Sequence, residues 1–74
     1  MPLTKAKPGQ EFYLKEVIGG TGVKKRLMAM GFVPGVNLSL ASGGKGGPVV
    51  INLHNTKIAI GKGLASKIIV EQIE

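Results

Sequence analysis

The ten residues from Arg26 to Gly35, Arg-Leu-Met-Ala-Met-Gly-Phe-Val-Pro-Gly, restrict the fold of this chain more than any other stretch. They read as the last turns of a helix, a glycine stop, an aromatic plug and a turn that launches a strand. Gly31 suits the left-handed position that ends a helix. Phe32 follows it back toward the core. Pro34-Gly35 supplies turn chemistry, with one residue fixing φ and the next free to make it positive. No residue of the segment carries chemistry of its own. Three cations, Lys24, Lys25 and Arg26, precede or open it.

The helix that this stop terminates is expected from about Gly22 to Met30, with Thr21 as its N-cap. At ~100° per residue, Val23, Leu27 and Met30 share one stripe. That stripe is the expected core face. Met28 lies ~140° around from Val23, between Lys24 and Lys25 and away from the core. Arg26, at ~300°, borders the stripe, and its stem can pack there.

Elsewhere apolar residues alternate, as in half-buried strands. From Glu11 to Ile18, the residues Phe12, Leu14 and Ile18 share one face, and Tyr13, Lys15 and Val17 the other. Glu16 breaks the first face, so this strand is expected to leave the core before its end. Val36, Leu38 and Leu40 alternate with Asn37, Ser39 and Ala41, and Val49, Ile51 and Leu53 with Val50, Asn52 and His54. Asn55-Thr56 is the expected hairpin turn before a return strand over 57–60. Gly61-Lys62-Gly63 breaks that strand. A helical turn from Leu64 to Ile68 and a last strand from Ile69 to Ile73 complete the chain. Gly43 to Pro48 is a glycine-rich connection, the segment expected to be most mobile. Five short strands and one inserted helix make a mainly β domain. Hiding strand edges in so small a chain favours a closed or partly open barrel.

Seventy-four residues allow one domain, spanning 1–74. A chain this short buries only ~60% of its unfolded surface and has little interior to spare for a deep pocket. Cysteine and aspartate are absent, so there is no thiolate nucleophile, disulfide or Ser/His/Asp triad. Lys5, Lys7 and Pro8 interrupt the N-terminus before the apolar core of a signal peptide could form, and no apolar run approaches the ~20 residues of a membrane span. A cytoplasmic protein is expected.

The formal charge is +6, from ten cations and four glutamates. It favours an anionic partner: nucleic acid, an acidic protein face or an anionic membrane surface. Most lysines are scattered singly, as solubilising lysines are. Of the three aromatics only Tyr13 is placed to stack on a base, which makes RNA binding a weak reading.

The glycine loops do not bind phosphate by any known pattern. Ser39 stands where a P-loop before Gly44-Lys45 needs glycine, and Gly46 follows where Ser or Thr is required. The windows opening at Gly20, Gly44 and Gly61 end in Lys25, Val49 and Ser66, so none is a G-x-G-x-x-G. His54 is the single histidine. Glu11, Glu16, Glu71 and Glu74 do not stand in a ligand spacing with it, so neither metal site nor cofactor is expected. No enzyme activity is expected either.

Met1-Pro2-Leu3, Pro8-Gly9, Ile18-Gly19-Gly20, Arg26-Leu27, Met30-Gly31-Phe32, Pro34-Gly35, Gly47-Pro48 and Ile58-Ala59-Ile60 together resemble the FeoA family of ferrous iron transport proteins A. The resemblance covers essentially the whole chain, and R-L-x-x-M-G-F-x-P-G is its most specific part. It implies a small SH3-like β-barrel with an inserted helix. It also implies a non-enzymatic accessory of ferrous iron uptake in the bacterial cytoplasm. The partner would be the inner-membrane ferrous iron permease, which carries a G-protein-like domain, and the protein would meet the membrane only through it. The family is described at large as binding transition metals, with no agreed ligand residues to carry over. The expected partner surface is the polar side of the helix: Lys24, Lys25, Arg26 and Met28, with Lys45 from the glycine loop. The alternative is a basic RNA- or ribosome-associated SH3-like module.

Overall fold

The computed structural model describes residues 1–43 and 47–73. Residues 44–46 of the expected mobile connection, Lys45 among them, lie outside them. Five antiparallel strands form one sheet in the order β4-β3-β2-β1-β5. They are β1 (Glu11–Val17), β2 (Asn37–Ser42), β3 (Val49–Leu53), β4 (Thr56–Ile60) and β5 (Ile68–Gln72). Helix α1 (Thr21–Ala29) follows β1, and a single helical turn, α2 (Lys62–Ala65), joins β4 to β5.

The alternating apolar residues meet in one core. Phe12, Leu14, Leu38, Leu40, Val49, Ile51, Leu53, Ile60, Ile68 and Val70 come from the strands, and Leu27 from the helix. Val23, Met30 and Val36 pack against it as expected. No polar residue is buried among the described residues, so the interior rests on apolar burial alone.

Two bulges bend the sheet. Leu14 pairs with Val70 but Glu16 with Ile69, which inserts Lys15 into β1. Leu40 pairs with Ile51 but Ser42 with Val50, which inserts Ala41 into β2. An extra residue of this kind kinks its strand and sharpens the local twist, which lets so short a sheet curl around its core.

The first bulge corrects the reading of β1. Simple alternation puts Ile18 on the core face and Val17 outside. The inserted Lys15 reverses the parity, so Lys15 and Glu16 are both exposed and Val17 packs on the core. Ile18 is turned out, 50% exposed. The strand therefore regains the core through Val17 instead of leaving it at Glu16.

The R-L-x-x-M-G-F-x-P-G segment folds as expected. The Phe32 N–H donates to the Leu27 carbonyl at 3.0 Å and the Gly31 N–H to the Met28 carbonyl at 3.0 Å. With Gly31 at φ +101, this is the paired bonding of a Schellman stop. Its apolar partners, Phe32 and Leu27, are both fully buried. The Val36 N–H then donates to the Val33 carbonyl at 3.1 Å across Pro34 and Gly35. Gly35 has φ +91, as a type II turn requires of its third residue.

Several strand boundaries shift by one residue from expectation, and three caps and turns differ more. The N-cap of α1 is Gly20, not Thr21. Gly20 is extended (φ −75, ψ 174) and its carbonyl accepts the Lys24 N–H at 3.1 Å, so Thr21 is already helical. The hairpin turn is His54-Asn55, at φ 51 and 61, not Asn55-Thr56. Leu53 pairs with Thr56, and a two-residue loop with both φ values positive is type I′, whose twist matches the strands. The helical turn begins at Lys62 and ends at Ala65 instead of running from Leu64 to Ile68. Gly61, extended, serves as its N-cap, and Ser66 closes it by donating its hydroxyl to the Gly63 carbonyl at 2.7 Å.

One element had no counterpart in the sequence reading. Leu3–Lys5 form a 3-10 turn that buries Leu3 completely. Before it, Met1 and Val70 exchange backbone hydrogen bonds of 2.9 and 2.8 Å, and Pro2 bridges Ile69. The N-terminal residues thus cover the outer edge of β5.

Outside the core, Lys15 and Glu71 form an ion pair at 3.2 Å, and the Tyr13 hydroxyl donates to Glu71 Oε2 at 3.2 Å. The hydrogen bond and charge of Lys15, then the Tyr13 bond, hold the Glu71 carboxyl below its ordinary value of 4.5. A carboxylate with a depressed folded-state pKa stabilises the fold above its unfolded pKa. That stabilisation is lost as pH falls through the folded pKa. We therefore expect wild-type Tm to drop more steeply than that of Glu71→Gln as pH falls below about 4.5. The difference should shrink in 1 M salt, because exposed pairs are screened. Parallel Tm–pH curves in thermal melts would refute it.

Candidate functional site

Two concavities among the described residues bear on function. The broader is an open cleft of ≈710 Å³ over the polar face of β2, β3 and β4. Its floor includes Asn37, Ser39 and Asn52, and its rim Glu11, His54 and Lys57. The Asn52 amide donates to the Ser39 hydroxyl at 3.2 Å. Nothing in it pairs a nucleophile with a base. His54 owes its exposure to the I′ turn, and among the described residues no three His or Glu side chains gather where they could hold a metal ion.

The smaller is an apolar groove of ≈170 Å³ between β1 and α1. Val17, Met28, Phe32 and Pro34 line it, with Glu16 and Lys24 at its rim. Local backbone features place each of them. The bulge at Lys15 turns Glu16 outward and Val17 toward the groove. The Schellman stop brings Phe32 back beneath the helix. Met28 is 52% exposed, because its position on α1 lies off the core stripe.

Of the sequence-predicted surface residues, Lys24, Lys25, Arg26 and Met28 are all exposed on α1. Lys24 and Met28 meet at the groove. Lys25 and Arg26 do not line it, and Lys45 lies outside the described residues. The groove's β1 wall, Glu16 and Val17, was missed. Only the bulge creates it, and alternation gives no sign of an inserted residue.

A family model, the FeoA domain, matches residues 1–72. The chain belongs to the FeoA family. A relative in Methanocaldococcus jannaschii named "Putative Fe(2+) transport protein A" is 42% identical over 73 residues, covering 99% of this chain and 88% of its own. The crystal structure of the iron uptake regulatory protein FeoA superposes with a TM-score of 0.92 at 30% identity, covering 99% of this chain and 97% of that one. A zinc complex of Stenotrophomonas maltophilia FeoA, described as a procaryotic SH3 domain protein, superposes with a TM-score of 0.82 at 21% identity, covering 96% and 89%. The fold is therefore the SH3-like barrel of FeoA, and the family is one of ferrous iron transport accessories, not of enzymes.

The RNA reading is not favoured. Tyr13, its only stacking candidate, spends its hydroxyl on Glu71 and stands on strands that carry Glu11, Glu16 and Glu71, which repel phosphate. No helix among the described residues is long and apolar enough to cross a membrane.

Proposed function

We propose that this FeoA-family protein is a non-enzymatic adaptor that binds the ferrous iron permease on its cytosolic side and modulates its transport or nucleotide cycle. The binding surface is the outer side of α1: Lys24, Lys25, Arg26 and Met28, with Lys45 of the glycine loop added from the sequence. The observation that carries the reading is the groove beside Met28. An exposed, adaptable thioether at the mouth of an apolar slot, with Lys24 and Glu16 at its rim, is the composition of a contact surface. The cations would steer an acidic partner face, and the slot would seat one apolar side chain. Lack of cysteine and aspartate supports a role without catalysis.

The test is recovery of the permease's cytosolic domains by tagged wild type and by Lys24→Glu/Met28→Asp. Both positions are exposed, so the fold should be unchanged by circular dichroism. Removing the apolar anchor and reversing one rim charge should weaken binding by about tenfold or more, ~1.4 kcal/mol. Equal recovery would remove the helix surface from the proposal.

A further inference from the structure

The two edges of the sheet are treated differently. At β5, Met1 and Pro2 pair with Val70 and Ile69 and take up the outer backbone groups. At β4, no such segment is present among the described residues. The pairing register identifies which groups of β4 are affected. Leu53 and Thr56 close the two-residue hairpin as a hydrogen-bonded pair, and bonded and non-bonded pairs then alternate. Ile51–Ile58 and Val49–Ile60 are bonded, while Asn52–Lys57 and Val50–Ala59 are not. The N–H and C=O groups of Lys57 and Ala59 therefore point away from β3. No turn, loop or cap bond among the described residues reaches them. Both residues are exposed.

Charge is divided along the same axis. The described carboxylates, Glu11, Glu16 and Glu71, all lie on β1 and β5. The stretch from β4 through α2 carries Lys57 and Lys62 and no acid. Glu11, the nearest described acid in the strand order, stands three strands from β4, although it shares the rim of the broad cleft with Lys57. The open edge is thus the basic one.

We propose that β4 accepts an extended acidic segment of a partner protein as an added strand. Lys57 and Ala59 offer it two donors and two acceptors. Their side chains face the same side as Asn52, toward the broad polar cleft that Lys57 lines. A residue placed across from Lys57 is best an acid. Two positions along, the small Ala59 leaves room for a bulky side chain. Recognition is therefore an acid and a large residue separated by one, on one face of an extended chain. Self-pairing of two copies is opposed by the net charge of +6 on each. This surface lies on a different strand from the α1 groove, and the proposal stands or falls apart from it.

The probe is a capped peptide repeating Glu-Ser-Val-Ser, so that a glutamate and a valine stand two residues apart on one face, long enough to cover the five residues of β4, with a lysine-for-glutamate counterpart. It is titrated into the isotope-labelled full chain. The expected result is slowed hydrogen exchange and shifted amides at Lys57 and Ala59, with α1 unaffected. Lys57→Glu should weaken binding about 5- to 10-fold. Ala59→Pro, at a position whose N–H bonds nothing in the sheet, should keep the fold and abolish binding. Should that variant not fold, the glutamate peptide with its edge-facing amides N-methylated must lose binding to wild type. The proposal is overturned if the glutamate peptide does not bind, or if both peptides bind alike. Protection appearing on α1 or β5 instead also overturns it. So does protection of Lys57 and Ala59 that grows with protein concentration alone, which would make a second copy the occupant.

Discussion

Phe32→Ala is expected to remove about 3–5 kcal/mol of stability. The ring is 1% exposed, and it sits where three constraints meet. Its N–H closes the helix stop on Leu27, its side chain joins the core, and it backs the groove beside Met28. The neighbours cannot collapse into the space, because the Schellman bonds and the Val33–Val36 turn hold the chain on both sides. A domain of 74 residues has a total stability of about 4–11 kcal/mol, so the variant should be near its unfolding threshold. Its Tm should fall by roughly 15–30 °C. Phe32→Leu, which keeps most of the volume, should lose less than about 1.5 kcal/mol. Urea titration of both variants decides the matter. A loss below about 1.5 kcal/mol for alanine would mean that the ring contributes little packing.

Gly43→Ala should be the most damaging change to a glycine, at about 2–3 kcal/mol. Two effects add. Gly43 has φ +119, which an L side chain adopts only under strain. A Cβ there would lie 2.8 Å from the Val49 Cα and 2.9 Å from the Pro48 carbonyl oxygen. These are backbone atoms, and Val49 is buried, so β3 itself would have to shift. Gly47 is the control. Nothing among the described residues lies within 4 Å of the position its Cβ would occupy. Gly47→Ala should leave Tm unchanged or raise it slightly, because alanine restricts the unfolded chain. Equal melting of the two variants would show that neither strain nor contact acts at Gly43.

The helix stop, the strands and most of the core were legible because each depends on local rules. Gly31 ends α1 through φ, Leu27 and Phe32 meet through the geometry of that stop, and Leu38, Leu40, Ile51 and Leu53 face inward through the two-residue repeat of a strand. The candidate site was half legible. Lys24 and Met28 could be placed off the core stripe by angle alone. Their groove partners Glu16 and Val17 could not, because a bulge inserts Lys15 with no local signal and swaps the faces of the residues after it. The core role of Leu3 and the cover over β5 also escaped notice, since three residues carry no periodicity and find their place only against a strand that folds from the other end of the chain.

The sequence alone determined the five strands and two helices, their order, most of their inward faces and the sign of the charge. These come from backbone preferences and periodicity within a few residues. The tertiary structure alone decided which residues share a surface. Strand order places the described acids on β1 and β5 and Lys57 alone on β4. The bulge aims Val17 at Met28, and the N-terminal residues close one sheet edge while the other stays open. Each of these is a pairing between distant residues, set by burial of one common core rather than by any residue's own conformational preference.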